Sequence, residues 1–189
     1  MNRLHQFVLI ASVIFGSWLG MQAVHESGHV LGCWFTGGKV VRIVLHPLTI
    51  SRTDYARNPA PLATVWAGPL IGVLLPLALW GLAAAVQMRG AFVLRFFAGF
   101  CLIANGAYIA GGATSAIGDC GEMLRHGSPL WLLWLFGLVT VPAGLWLWSG
   151  QGKHFGLGEA RGTVDRGVTY VALGVFLMLV AIGFLVDGR

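Results

Sequence analysis

The sequence predicts an all-α membrane protein, a bundle of about five transmembrane helices with a short β-hairpin-like segment at the surface. The chain has 189 residues, of which 57% are hydrophobic and 10% charged, whereas about a quarter of a typical soluble domain is charged. Five stretches of 20 to 31 residues contain no Asp, Glu, Lys or Arg, and a helix needs about 20 apolar residues to cross a bilayer. These observations exclude a soluble globule. They favour one membrane-embedded domain over residues 1–189, with a core at 1–128 and additional helices at 129–189.

The uncharged stretches give the positions of the helices. The first helix continues past its uncharged part, because Gly37 and Gly38 are the first pair of residues that would break it. Tryptophans lie at both ends of the fourth stretch, as is typical of the two membrane interfaces. Small residues four apart, such as Gly68 and Gly72, let membrane helices approach closely. We expect helices near residues 6–35, 62–86, 91–117, 129–149 and 168–186.

Residues 39–55 have a different pattern from the spanning stretches. Val41, Ile43 and Leu45 alternate with other side chains, and a polar cluster at 51–54 follows Pro47. Alternation with a period of two indicates an extended strand. The segment is too short to span a membrane, so it is predicted to be a strand or short hairpin at the membrane surface.

Charge and cysteine content exclude further classes of protein. The net charge is +5, but the basic residues lie between apolar runs, where they face lipid head groups and not nucleic acid. Three cysteines without C-x-x-C spacing cannot form a disulfide framework. Lys and Arg divide equally between the two faces, Arg189 included, so the positive-inside rule leaves the orientation open. A secretory signal cleaved after residues 21–23 is a weaker alternative, because the apolar run is longer than a usual signal core.

The end of the first predicted helix carries the residues suited to chemistry. The sequence there is His25-Glu26-Ser27-Gly28-His29. Two histidines four residues apart lie on one helical face and can bind one zinc ion, and a Glu beside the first can take a proton from metal-bound water. Ionisable groups in a membrane helix are costly, which favours a functional role. In the structural alternative, these side chains hydrogen-bond to neighbouring helices.

A catalytic zinc site usually has three protein ligands and one open position. Asp119 is the best candidate for the third ligand, because it ends the third uncharged stretch and can reach the depth of the histidines. Its alternative role is a helix cap. Glu122 is the runner-up ligand, one turn further along if the helix continues. The remaining candidates are Cys33, Cys120, His46 and His126.

These motifs together resemble those of the site-2 protease family of intramembrane zinc metallopeptidases, in particular its compact bacterial branch. The similar parts are the His-Glu-x-x-His helix, the surface segment at 37–47, Ala67-Gly68-Pro69-Leu70 and the Asp-containing end of the third helix. They cover residues 20 to about 129. The chain departs from the family pattern at Gly72, where the family often has Asn, and at Ile117-Gly118-Asp119, which replaces Leu-Asp-Gly.

The resemblance implies a metallopeptidase domain in a multi-pass protein of a bacterial cell membrane, with its site nearer the cytoplasmic face. It implies one zinc ion per chain held by His25, His29 and Asp119, and Glu26 as the catalytic acid and base. Asn105 is a candidate contact to the substrate backbone, although an Asn that faces another helix is the alternative. The extended segment 39–55 could pair with an unwound substrate strand.

The predicted function is intramembrane zinc-dependent proteolysis, in which zinc-bound water attacks a peptide bond in or near a transmembrane segment. Glu26 would accept the proton of that water and return it to the leaving amine. The expected partners are a membrane-protein substrate and the lipid bilayer. Two alternatives stay open: a membrane metal-binding or transport protein, and a non-proteolytic regulator that binds membrane helices. The sequence leaves the oligomeric state open.

Overall fold

The structure is a computed structural model that describes residues 2–187, so Arg189 lies outside the described residues. Strands β1 (Lys39–Val44) and β2 (Arg52–Arg57) form an antiparallel hairpin. Two short 3-10 turns, Gly152–Phe155 and Gly158–Ala160, precede the last helix. The helices within the described range are α1 (Asn2–Phe35), α2 (Pro61–Ala85), α3 (Ala91–Gly112), α4 (Asp119–Arg125), α5 (Leu130–Trp148) and α6 (Arg166–Asp187).

Five helices between residues 2 and 187 are long and apolar enough to cross a membrane, namely all except α4. Many of their large apolar side chains are exposed, including Phe7, Trp18, Leu138 and Leu185. In lipid this exposure is favourable, because the acyl chains are as apolar as the side chains. The predicted all-α membrane bundle with a short hairpin is confirmed, and the chain is an integral membrane protein.

The prediction for the third helix is wrong at its end. The helix was expected to reach residue 117, but α3 ends at Gly112 and a reversal at 113–118 leads into α4. Gly118 has a φ of 58°, a left-handed conformation that side chains disfavour. The hydroxyl of Tyr108 accepts a hydrogen bond from the backbone N–H of Asp119 at 3.1 Å and holds α4 against the end of α3. Asp119 therefore starts a new helix.

A hydrophobic cluster fixes α4 inside the bundle. Its buried members join four helices: Val65 of α2, Ile109 of α3, Cys120 and Met123 of α4, and Leu133 of α5. Burial of such side chains stabilises a protein by about 1.5–3 kcal/mol each. The cluster therefore determines where the first residue of α4 points.

Close approach of α1 and α2 brings the second half of α1 against the start of α2. A Cβ atom added to Gly28 of α1 would lie 2.8 Å from the Cα atom of Gly68 on α2, closer than real Cβ atoms come. Small side chains are what permits such contact between membrane helices. The spacing between these two helices is therefore set by glycine.

The predicted hairpin is confirmed, and its second strand extends two residues beyond the expected segment 39–55. β1 packs against α1 and α6, and β2 packs against α1. A Cβ atom added to Gly183 of α6 would lie 2.8 Å from the carbonyl oxygen of Leu45, so the end of α6 supports the turn of the hairpin. The hairpin is thus held beside the end of α1 that carries the histidines.

Candidate metal centre

His25 and His29 from α1 meet Asp119 from α4. Nε2 of His25 lies 2.9 Å from Oδ2 of Asp119, and Nε2 of His29 lies 3.3 Å from the same oxygen. The two Nε2 atoms are 3.0 Å apart. The structure therefore brings together the three residues that the sequence predicts as metal ligands, and this cluster could hold a metal ion.

The partners of the other ring nitrogens fix the tautomers of both histidines. Nδ1 of His29 lies 3.0 Å from the carbonyl oxygen of Thr64, which can only accept a hydrogen bond. Nδ1 of His25 lies 2.7 Å from Oδ1 of Asn105, whose Nδ2 donates to the carbonyl oxygen of Cys101. Both Nδ1 atoms are therefore donors, and each neutral ring presents the lone pair of Nε2 to the centre.

Three lone pairs that converge in this way need a proton or a cation between them. The residue His25 is 7% exposed and His29 is 4% exposed, so water cannot easily screen their repulsion. Two imidazoles and a carboxylate are a common donor set for catalytic zinc. In a tetrahedral site with metal–ligand distances of about 2.0–2.1 Å, the ligand atoms lie about 3.3 Å apart. The observed distances of 2.9 to 3.3 Å are close to that value.

Asp119 reaches the centre from the first turn of α4 and is ionised there. Burial by itself raises the pKa of this carboxyl, but the positive charge of a proton held between it and the two Nε2 atoms outweighs burial and lowers the pKa below its ordinary value. A carboxylate at this position neutralises part of the charge of a bound cation.

Glu26 is buried next to the cluster without belonging to it. The residue is 4% exposed, and its Oε2 accepts a hydrogen bond from Oγ1 of Thr53 on β2 at 2.7 Å. Burial and the nearby charges of Glu26 and Asp119 raise the pKa of Tyr55, also on β2. Tyr55 therefore keeps its proton, and Thr53 supplies the hydroxyl of the hairpin that donates to Glu26.

The cluster and Glu26 line one cavity of about 770 Å³. Its walls come from α1, α2, α3, α4 and the strand β2, and the side chains of Trp18 and Ile50, which are largely exposed, also lie along it. A cavity of this volume accommodates a peptide segment or a drug-sized ligand.

Asn105 lies behind His25 and is 1% exposed. Its Oδ1 and its Nδ2 both form hydrogen bonds. A Cβ atom on Gly72 would lie 2.9 Å from Oδ1 of Asn105. Gly72 therefore leaves the space that the Asn105 amide occupies. The arrangement corresponds to the alternative in which Asn105 faces another helix, and the substrate contact stays a prediction.

Two residues of this site, Thr64 and Thr53, were not predicted from the sequence. Thr64 contributes a backbone carbonyl, for which a sequence carries no side-chain signal. Thr53 contributes a hydroxyl, and its place in the polar cluster at 51–54 was the available signal.

The remaining candidate ligands lie away from the centre. Glu122 lines the cavity but pairs with Arg125 and, at 3.3 Å, with His126. The ring of His46 packs against Phe184, 4.8 Å between centroids. Cys33 and Cys120 are fully buried, with their thiols directed at backbone carbonyls.

The chain matches a known protein family. The family described as Peptidase M50B-like matches residues 8–111, which include the helix of His25 and His29 and also Asn105, while Asp119 follows the matched range. No curated protein and no solved structure matches the chain.

Proposed function

The chain belongs to the Peptidase M50B-like family, the site-2 protease family that its motifs resemble, and from this premise we propose that it is an intramembrane zinc metalloprotease. It hydrolyses peptide bonds in or near the transmembrane segments of membrane-protein substrates. The proposal rests on the convergence of His25, His29 and Asp119 within a cavity that Glu26 also lines.

His25, His29 and Asp119 would hold one zinc ion per chain. A zinc ion bound there supplies Lewis acidity, which polarises a substrate carbonyl and lowers the pKa of a bound water toward about 7. Asn105 and the Thr64 carbonyl hold the two imidazoles in the tautomers that binding requires, which is the usual role of groups behind metal ligands. This supports a positioning role for Asn105.

Glu26 acts as the general base and then as the general acid. Its carboxylate accepts the proton of the attacking water and returns it to the nitrogen of the leaving amine. The hydroxyl of Thr53 holds one carboxylate oxygen, which leaves the other free to take the proton. Burial of Glu26 beside the cluster excludes bulk water from this transfer.

The strand β2 is suited to hold the substrate. β1 pairs with one of its edges, and within residues 2–187 no strand pairs with the other. Residues 52–55 of β2 line the cavity, so a substrate that adds along this edge lies beside Glu26. A transmembrane helix hides its backbone in its own hydrogen bonds, and pairing with β2 replaces the bonds that are lost when the segment unwinds.

We further propose that residues 1–189 act as one metallopeptidase domain in a bacterial cell membrane. α5 packs extensively against α3, and α6 packs against α1. The helices after residue 128 therefore support the two helices that bear His25 and Asn105.

Comparative proteomics of membranes tests the proposal. Membranes with the wild-type chain should contain fragments cut within a spanning segment, and membranes with Glu26→Gln should lack them. The same fragments in both samples would contradict proteolysis. Zinc bound without any difference in fragments would favour a metal-binding, transport or helix-binding protein.

A further inference from the structure

Gln22 is a buried side chain that the proposed chemistry leaves unused. It is 7% exposed, precedes Glu26 by about one turn of α1 and lines the same cavity. Its Oε1 accepts a hydrogen bond from the backbone N–H of Ser51 at 3.3 Å, which fixes the orientation of the amide. Its Nε2 is buried and has no hydrogen-bond partner among the residues that the structure describes.

A buried amide donor without a hydrogen-bond partner is unusual in a folded protein. The great majority of buried polar groups have a partner, and an unpaired one costs free energy. Gln6, buried on the same helix, shows the ordinary case, because its Nε2 donates to the carbonyls of Phe155 at 3.0 Å and Gly156 at 2.9 Å. Gln22 differs in that it is one of the residues that line the cavity of the metal centre.

The spacing between Gln22 and Glu26 matches that of an extended peptide. Four residues of helix rise by about 6 Å. Along a strand, backbone carbonyls that point the same way recur every two residues, about 6.6–6.8 Å. A substrate that lies along β2 with its scissile bond at Glu26 therefore brings another carbonyl near Gln22. That carbonyl lies toward the membrane centre, since Gln22 is nearer the middle of α1.

We propose that Nε2 of Gln22 donates a hydrogen bond to a backbone carbonyl of the substrate, two residues from the scissile bond. The inference rests on the proposed function, because it requires a peptide in the cavity. The ligand is an extended, unwound peptide segment, recognised at this point through its backbone. Gln22 is thus a substrate-binding residue that tolerates many side chains at the corresponding substrate position.

Gln22→Met tests the proposal in the full chain reconstituted in proteoliposomes. Met is close to Gln in shape but cannot donate, so the zinc content should stay at the wild-type level. The probe is a synthetic peptide that spans a cut found by comparing wild-type and Glu26→Gln membranes. We expect KM to rise about 2- to 12-fold, the range for one neutral hydrogen bond, with kcat within about twofold of wild type.

Gln6→Met is the matched control, a buried Gln on the same helix whose Nε2 donates two hydrogen bonds. It should lower the melting temperature and leave KM unchanged. Gln22→Met should lower the melting temperature less than Gln6→Met does, because it removes one hydrogen bond, from Ser51, and an Nε2 atom that has no partner. A wild-type KM for Gln22→Met would overturn the proposal, and so would a lower melting temperature without a change in KM.

A second measurement covers the case in which Gln22→Met does not fold. Peptides in which one backbone carbonyl at a time is replaced by a thiocarbonyl, a weaker acceptor, are offered to the wild-type chain. KM should rise for the carbonyl two residues from the scissile bond on the side toward the membrane centre. An unchanged KM for that peptide overturns the inference alone, whereas identical fragments from wild type and Glu26→Gln overturn the proposed function and this inference with it.

Discussion

Gly68→Ala tests whether the close contact of α1 and α2 sets the geometry of the metal centre. A Cβ atom at this position would lie 2.5 Å from Nε2 and 2.9 Å from Nδ1 of His29. Ordinary contacts of a Cβ atom begin at 3.4 Å, so the imidazole must move by about 0.9 Å. The ring cannot simply turn away, because Nδ1 is bonded to the carbonyl of Thr64.

Metal–ligand distances tolerate deviations of about 0.2 Å, so the required movement of His29 exceeds what zinc binding allows. We expect Gly68→Ala to lower the affinity for zinc at least 10-fold, a loss typical of changes in groups that support metal ligands. The assay is a competition titration of the purified protein in detergent against a chromogenic zinc chelator. Activity should fall together with the bound zinc.

Gly81→Ala on the same helix is the matched control. A Cβ atom at Gly81 would have no atom within 4 Å, so zinc affinity should not change and stability should rise, by up to about 1 kcal/mol. If Gly68→Ala fails to fold, Gly72→Ala replaces it, since its Cβ atom would lie 2.9 Å from the Asn105 amide that supports His25. Wild-type zinc affinity in a folded Gly68→Ala protein would show that the close contact of α1 and α2 does not set the geometry of the metal centre.

Three further predictions concern the side chains of the site. Glu26→Gln should keep its zinc and lose turnover by at least about 100-fold, and activity within a few-fold of wild type would remove Glu26 from the mechanism. Asp119→Ala should lose zinc and activity together in elemental and activity analysis, while Glu122→Ala keeps both, and the reverse ranking would make Glu122 the ligand. Asn105→Ala should weaken zinc binding about 10- to 100-fold by releasing His25, and an unchanged affinity in the chelator titration would contradict the positioning role.

The spanning helices were predictable because membrane insertion depends on long uncharged stretches, which a sequence displays directly. The end of α3 was not, because Ala113 and Ile117 continue the apolar stretch while the backbone reverses. The helix ends at Gly112, the second residue of a Gly-Gly pair, and the hydrogen bond between Tyr108 and the backbone of Asp119 then holds α4 against its end. Gly118, which has a positive φ, was the signal for the turn, and it also accounts for the Gly-Asp order at this site.

The residues of the candidate site that could be predicted are those indicated by side-chain chemistry and by position in the sequence. His25 and His29 follow from the spacing of four residues, and Asp119 from its position at the end of an uncharged stretch. The supporting groups were harder to find, since Thr64 acts through its backbone and Asn105 of α3 through a contact with α1. Such contacts depend on how the helices pack, which no local pattern in the sequence reports.

In the proposed mechanism, the cluster of His25, His29 and Asp119 enables zinc-dependent proteolysis with Glu26 as the base. The most direct test uses the purified chain in proteoliposomes with a substrate found by membrane proteomics. We predict cleavage by the wild type within the spanning segment, loss of cleavage when a chelator removes the metal, recovery when zinc is returned, and no cleavage by zinc-loaded Glu26→Gln. Cleavage that persists in the metal-free protein, or in zinc-loaded Glu26→Gln, would contradict the account.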